Sequence, residues 1–234
     1  MLAARNLNTY YGLSHILFDL SVELGDREIV CVLGRNGVGK TTLMRTIMGL
    51  TPPRQGSIQL NGEEVAGLRP YQLARRGLGF VPAERRIFID LTVRQNLEIA
   101  VKPPVGRLGG QPWTIPDILE FFPILKKLEN RLGSQLSGGE QQVLATARAV
   151  IGNPSHILMD EPSEGLSPLI VSELKDKLLA LQGRGVSILL CEQNTKFAFK
   201  VSSRGYIMDK GRVLHQGPVD ELQCRAEVRE CLGV

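Results

Sequence analysis

Ile29-Val30-Cys31-Val32-Leu33 runs straight into Gly34-Arg35-Asn36-Gly37-Val38-Gly39-Lys40-Thr41-Thr42. Five apolar residues ending in a glycine-rich turn have the length and composition of a buried strand. From Lys40 to Met48 the pattern turns helical. Between the two, Gly34 to Thr41 matches GxxxxGK[ST] at every fixed position. The chemistry needs these residue types. Glycines let successive backbone N–H groups curl around phosphate oxygens, the lysine sets a point charge against the β/γ oxygens, and the threonine hydroxyl serves Mg²⁺. The helix that follows aims its positive end at the same phosphates. Strand, loop and helix together predict a nucleotide cradle made of Gly34, Arg35, Asn36, Gly37, Val38, Gly39, Lys40, Thr41 and Thr42. A glycine-rich turn without a ligand is the plain alternative, and the flanking context argues against it.

Outward from that loop, short apolar strands alternate with helical stretches. Ile157 to Met159, Ser187 to Leu190 and Arg204 to Met208 read as buried strands, with a helix over Pro168 to Leu181. Such alternation predicts a mostly parallel sheet covered on both faces. Leu2 to Leu24 and Gly56 to Leu60 read instead as antiparallel strands flanking the loop. Residues 92 to 151 look helical. Thr92 is placed to cap VRQNLEIA, with Gln95 three residues on completing a capping box. Lys102 to Pro116 is too rich in proline and glycine for a helix and reads as a loop; helical spacing resumes over Pro116 to Leu128. The expectation is one domain over residues 1–234, with a helical subdomain at about 92–151 inserted into an α/β core.

With 234 residues, the chain is large enough to fold around its own core without disulfides or a structural metal. Its net charge of +4 is small for this length, and scattered surface cations explain it as well as an acidic partner does. No nucleic-acid partner is expected. The four cysteines, Cys31, Cys191, Cys224 and Cys231, form no CxxC pair, which points to free thiols in a reducing cytoplasm. No signal-peptide pattern opens the chain, and no apolar run reaches the roughly 20 residues that a membrane-spanning helix requires.

A second constellation is His156-Ile157-Leu158-Met159-Asp160-Glu161-Pro162. An apolar strand delivering two carboxylates at its C-terminal end suits a nucleotide site at the edge of a parallel sheet. Asp160 would hold Mg²⁺, directly or through water. Glu161, one residue beyond, would accept a proton from the attacking water or orient it. Alone, such a pair usually marks no more than a strand end; beside the phosphate loop it reads as catalytic.

The third piece is Leu136-Ser137-Gly138-Gly139-Glu140-Gln141-Gln142, which opens a helix from about Glu140 to Ile151. By itself it is an N-cap. LSGGEQQ, 23 residues ahead of Asp160, resembles the signature motif of ABC-transporter ATPases, and the resemblance extends over nearly the whole chain. It implies the ABC ATPase fold: an α/β P-loop NTPase with a mostly parallel core sheet, an antiparallel β subdomain and an inserted helical subdomain. It also implies a head-to-tail dimer, in which Ser137, Gly138 and Gly139 of one subunit cover the γ-phosphate held by the partner's loop. Tyr11 resembles the aromatic that stacks on adenine, with Tyr10 as its rival. Ser163 to Ser167 resembles the loop that touches the opposite subunit.

Two positions depart from the family pattern. Where most members carry glutamine after a strand, Phe80-Val81-Pro82 is followed by Ala83 and then Glu84, so a metal or water contact falls to Glu84 or to nothing. The usual switch histidine is Gln193, which can hydrogen-bond a phosphate but cannot become positively charged. That glutamine, VPAERRIF, LTVRQNL and DEPSEGLSP resemble the LivF-type branch, the ATPases of branched-chain amino acid uptake, with urea and amide uptake ATPases close by. The branch implies Mg-ATP as the working ligand and a LivG-type sister ATPase, or a second copy, as the other half of the dimer. It further implies transmembrane permease subunits, an extracytoplasmic solute-binding protein, and a place on the cytoplasmic face of the membrane. ABC ATPases acting outside transport usually carry tandem domains or long coiled-coil insertions, neither of which is expected here.

Overall fold

The two strands nearest the N-terminus, β1 (Leu2–Tyr11) and β2 (Ser14–Leu24), fold back on each other as an antiparallel hairpin. On its other edge β1 pairs with β4 (Gln55–Leu60), which pairs in turn with β5 (Glu63–Glu64). This antiparallel sheet has the order β2-β1-β4-β5. The computed structural model describes residues 1–103 and 112–232.

The larger sheet has the order β10-β9-β3-β8-β7-β6. Its members are β3 (Ile29–Leu33), β6 (Leu78–Val81), β7 (His156–Asp160), β8 (Ser187–Glu192), β9 (Arg204–Asp209) and β10 (Arg212–Pro218). All neighbours run parallel except β10, which returns antiparallel beside β9. Every residue of β3, β7 and β8 is buried. Their sequences therefore read as continuous apolar runs, because each face meets a different core. Ile29, Cys31 and Leu33 face the helices on one side, while Val30 and Val32 pack with the antiparallel sheet on the other.

Helix α1 (Lys40–Ile47) follows β3 directly, and α2 (Pro70–Arg75) precedes β6. Between β6 and β7 lie α3 (Val93–Glu98), α4 (Ile115–Phe121), α5 (Pro123–Lys127), a short 3₁₀ turn at Gly133–Gln135, and α6 (Gly138–Ile151). The capping box expected at Thr92 is present: its hydroxyl accepts from Gln95 N at 3.1 Å, and the Gln95 amide oxygen accepts from Thr92 N at 2.9 Å. Helical spacing over Pro116 to Leu128 resolves into two helices, not one. Phe122 precedes a proline, which disfavours helical backbone there, and its φ of −118° and ψ of 77° break the run. Most of the loop expected over Lys102 to Pro116 falls on residues 104–111, outside the described residues; its last two residues already belong to α4, with Thr114 as the cap. The remaining helices are α7 (Pro168–Gly183), α8 (Thr195–Val201), α9 (Val219–Cys224) and α10 (Ala226–Leu232). Cys31 and Cys191 are buried free thiols, and burial pushes the Cys31 thiol up to about 11. No helix among the described residues is long and apolar enough to cross a membrane.

Candidate functional site

Three parallel strands end side by side at one edge of the larger sheet. Strand register sets Leu33 opposite Glu192, and Asp160 opposite Cys191. The turn after β3 and the carboxylates closing β7 and β8 thus project from the same edge, where open α/β sheets bind ligands.

The turn itself is shaped by its glycines. A Cβ on Gly34 would stand 2.5 Å from the Met208 carbonyl oxygen and 2.7 Å from Val38 Cγ2, so no larger residue fits. Gly39 caps α1 with φ +110°, a conformation that L side chains rarely adopt. Arg35, Asn36 and Gly37 are exposed along the rim, and Val38 and Thr42 are buried behind it. No side chain caps α1, so its first N–H groups point at the space in front of the turn.

Lys40 is buried, yet its ammonium is fully engaged. It donates to the Gly34 carbonyl at 2.8 Å and the Arg35 carbonyl at 3.0 Å, and it pairs with Glu161 Oε1 at 2.9 Å. Glu161 reaches the lysine from a left-handed backbone, φ 48°, at the sharp turn after β7. Its N–H donates to the Cys191 carbonyl at 2.8 Å, which fixes that turn against β8. Asp160 is 1% exposed, and its Oδ1 has no hydrogen-bond partner. Burial raises its pKa to about 6, and the neighbouring Glu161 charge raises it too; a hydrogen bond from the Thr41 side chain and the Lys40 charge act the other way.

A buried carboxylate oxygen without a partner, with a threonine hydroxyl on the same carboxylate, is the hard oxygen donor set that suits Mg²⁺. This ion usually takes one or two carboxylates and completes its shell with water and substrate phosphates. Among the described residues no cluster of three His, Cys, Asp or Glu side chains competes as a metal site. Glu84 is exposed and pairs with Arg86 at 3.6 Å; its charge is felt at Asp160, but it makes no contact there. Ala83 beside it has no polar group to offer.

Glu192 escaped the sequence reading. It is 2% exposed and accepts from Ser163 N at 2.9 Å and Asn194 N at 3.2 Å. Burial raises its pKa, and the two N–H donors oppose that. It thereby ties the loop after Glu161 to the turn carrying Gln193. The available signal was its place at the end of an apolar strand, which the neighbouring glutamine overshadowed. Gln193 itself is exposed and lines a shallow pocket of about 300 Å³ with Glu161, Ser163 and Glu192.

Tyr10 and Tyr11 part company. Tyr10 stacks on His15 at 4.0 Å and lies under the Arg54 guanidinium at 4.2 Å, so its ring is occupied. Tyr11 is 44% exposed at the hairpin end. The signature segment lies elsewhere. Ser137 Oγ accepts from Glu140 N at 3.4 Å and Ser137 N donates to Glu140 Oε2 at 2.7 Å, closing a capping box on α6. Gly139 is pressed against α7, where a Cβ would stand 2.5 Å from Ile170 Cδ1. Among the described residues no hydrogen bond or ion pair joins Ser137, Gly138 or Gly139 to the phosphate loop of the same chain.

A separate groove of about 540 Å³ runs between β6 and the helices that follow it, lined in part by Phe80, Arg85, Arg86, Phe88, Ile99 and Arg148. Phe88 and Ile99 are half exposed. Arg148 donates to the Arg86 carbonyl at 2.8 Å and lies over Phe88, while its buried Nε has no partner.

Comparison with known proteins gives the family and the fold. A family described as ABC transporter matches residues 17–164. The chain is 37% identical over 230 residues to the high-affinity branched-chain amino acid transport ATP-binding protein BraG of Pseudomonas aeruginosa, covering 98% of each. It is 35% identical over 236 residues to the probable branched-chain amino acid transport ATP-binding protein LivF of Archaeoglobus fulgidus, covering 100% of this chain and 99% of that one. The lipopolysaccharide export system ATP-binding protein LptB of Haemophilus influenzae is 34% identical over 230 residues, covering 98% and 95%. Among solved structures, a nucleotide-free ATP-binding cassette from an ABC transporter superposes with a TM-score of 0.85 over 100% of this chain and 98% of that one, at 24% identity.

Proposed function

Because the chain belongs to the ABC transporter family and is one of its ATPases, we propose that its hydrolysis cycle drives uptake of branched-chain or closely related amino acids. The ATPase reading is carried by one observation: Lys40, Glu161, Thr41 and Asp160 converge at the ends of two strands. The uptake reading is supported by identity with BraG and LivF over essentially the whole chain.

In this reading residues 1–234 form one ABC ATPase domain, and about 92–151 form its helical subdomain. Gly34 to Thr42 cradle the phosphates with backbone N–H groups, and Tyr11 stacks on the base. Lys40 exchanges its two loop carbonyls and Glu161 for β/γ oxygens, which places its charge on the transferring group and frees the Glu161 carboxylate. Glu161 then orients a water and accepts its proton as the water oxygen bonds to the γ-phosphorus and the bond to ADP breaks. Thr41 and Asp160 would hold Mg²⁺, which neutralises phosphate charge when bound. Glu84 remains a candidate for an outer contact to it. Gln193 hydrogen-bonds the γ-phosphate without adding charge. Ser137, Gly138 and Gly139 act on the nucleotide of the opposite subunit, a LivG-type sister or a second copy. The groove beside Phe88 and Arg148 accepts the transmembrane permease, holding the chain on the cytoplasmic face, and an extracytoplasmic binding protein delivers the solute. No nucleic acid takes part.

The test is transport. The complex purified with its permease and binding protein, in vesicles supplied with Mg-ATP, is expected to accumulate labelled leucine. Accumulation of urea or acetamide in place of leucine would move the assignment to the neighbouring uptake branch. ATPase activity stimulated by lipopolysaccharide, with no uptake, would move it to the export function of LptB, which the 34% relative supports.

A further inference from the structure

One side chain belongs both to the groove and to the loops assigned to the second subunit. Arg85 lies between Pro82 and Leu91, in the connection from β6 to the first helix that follows. Its backbone is left-handed, φ 64°, and its N–H is held by the Pro82 carbonyl at 3.0 Å. The half-buried side chain lines the groove. Its guanidinium continues to two glycines: a Cβ built on Gly138 would stand 2.6 Å from Arg85 Nη1, and one on Gly165 would stand 3.6 Å from Nη2. Gly138 opens α6 in the signature segment, and Gly165 sits in the loop that Ser163 ties to Glu192.

The contact is steric. Glu84 pairs with Arg86, and no hydrogen bond or ion pair to the Arg85 guanidinium exists among the described residues. A planar group is seated on two residues whose missing side chains make the seat. Protein interiors are packed densely enough that such a wedge passes displacement on without absorbing it. Other contacts join residues 86–91 to α6 and to the turn before it, among them Arg148 on the Arg86 carbonyl at 2.8 Å and Ser134 N on the Ile89 carbonyl at 2.9 Å, but these do not reach Gly165. Ala83, at the position where the family usually has glutamine, carries no group that reaches the site.

We infer that Arg85 is the positioning residue through which movement of the permease-facing loop reaches both the signature segment and the Ser163–Ser167 loop. The inference rests on the transporter reading. A docked permease shifts residues 82–91, the guanidinium shifts with them, and Gly138 and Gly165 turn toward or away from the opposite nucleotide together.

The experiment compares Mg-ATP turnover of the permease complex, in phosphatidylethanolamine/phosphatidylglycerol vesicles, with turnover of the isolated ATPase subunits. Arg85→Ala is expected to lower that stimulation ratio at least about fivefold, the low end of ordinary coupling between sites. Mg-ATP affinity of the isolated subunit stays unchanged. Arg85→Lys, which keeps the stem and loses the planar group, falls between. Gly138→Ala puts a methyl group 2.6 Å from Nη1, so it should displace the same wedge. The ratio in the double variant should then exceed the product of the two single effects by at least about fivefold. A ratio within twofold of wild type for Arg85→Ala, or single effects that simply multiply, overturns the role of Arg85. Loss of Mg-ATP affinity in Arg85→Ala also overturns it, by showing a local folding role. A wild-type complex with no stimulation sinks the transporter reading, and this inference with it.

Discussion

Replacing Glu161 by glutamine keeps the side chain's shape and removes its charge, which separates its two roles. The carboxylate is 2.9 Å from Lys40 Nζ, and that lysine has two further acceptors at 2.8 and 3.0 Å. The amide oxygen of glutamine can still accept from Lys40, so the change is from an ion pair to a hydrogen bond between the ammonium and a neutral oxygen, about 1 kcal/mol. That is far below the roughly 3–5 kcal/mol expected when a buried pair loses one partner outright. Folding should survive. Because Lys40 is held less tightly and Asp160 loses a like charge that raised its pKa, Mg-ATP affinity should stay level or tighten by up to about fivefold. Hydrolysis loses its proton acceptor, which typically costs about 10²–10⁴ in rate. The assay pairs phosphate release with equilibrium nucleotide binding, and light scattering follows the dimer, which should accumulate with ATP. Turnover within threefold of wild type would refute the role of Glu161, and lost nucleotide binding would refute the reading of the ion pair.

Tyr11→Ala should weaken Mg-ATP binding by about 1–3 kcal/mol, the usual worth of a base stacked on an aromatic; equal loss from Tyr10→Ala, measured by calorimetry, would show that the exposed ring was misassigned. Gln193→His should raise turnover of the assembled complex by roughly tenfold, because an imidazole can carry positive charge toward the γ-phosphate while glutamine cannot; an unchanged rate counts against any role for that position. His156 is buried, and burial lowers its pKa from 6.5 to about 4. The folded state therefore resists protonation that the unfolded chain accepts, so stability is full above pH 6.5 and falls as the pH drops toward 4, by about 3 kcal/mol. Urea denaturation at pH 7 and pH 4.5 checks this, and a His156→Leu variant with the same pH dependence would assign the loss to another group.

The phosphate loop and the Asp160-Glu161 pair were legible in the sequence because their chemistry is local: a fixed spacing of glycines, one lysine and one hydroxyl, and a strand that ends in acid. The parallel sheet was legible because β3, β7 and β8 are buried on both faces and so read as unbroken apolar runs. The capping box at Thr92 and the N-cap at Ser137 are likewise local, each set by two residues three apart. What escaped depends on contacts across the fold. Glu192 matters because β8 lies between β3 and β7, an order that no local pattern reveals. Arg85 sits in a charged run that looks like solvated surface until Gly138 and Gly165 are brought beneath it. The break at Phe122 was visible only as Pro123, and periodicity on both sides outweighed it. The cover that Arg54 gives the Tyr10 ring comes from more than forty residues away, so the sequence alone does not show it.

The central claim is that one Mg-nucleotide sits between the Gly34–Thr42 loop and the carboxylates that end β7. Titrating the purified chain with ATP by calorimetry, with and without Mg²⁺, and repeating this for Lys40→Ala, tests it directly. Saturable binding that Mg²⁺ strengthens and the alanine variant abolishes is the expected result. Absence of binding by the wild-type chain, even when assembled with its permease, would contradict it.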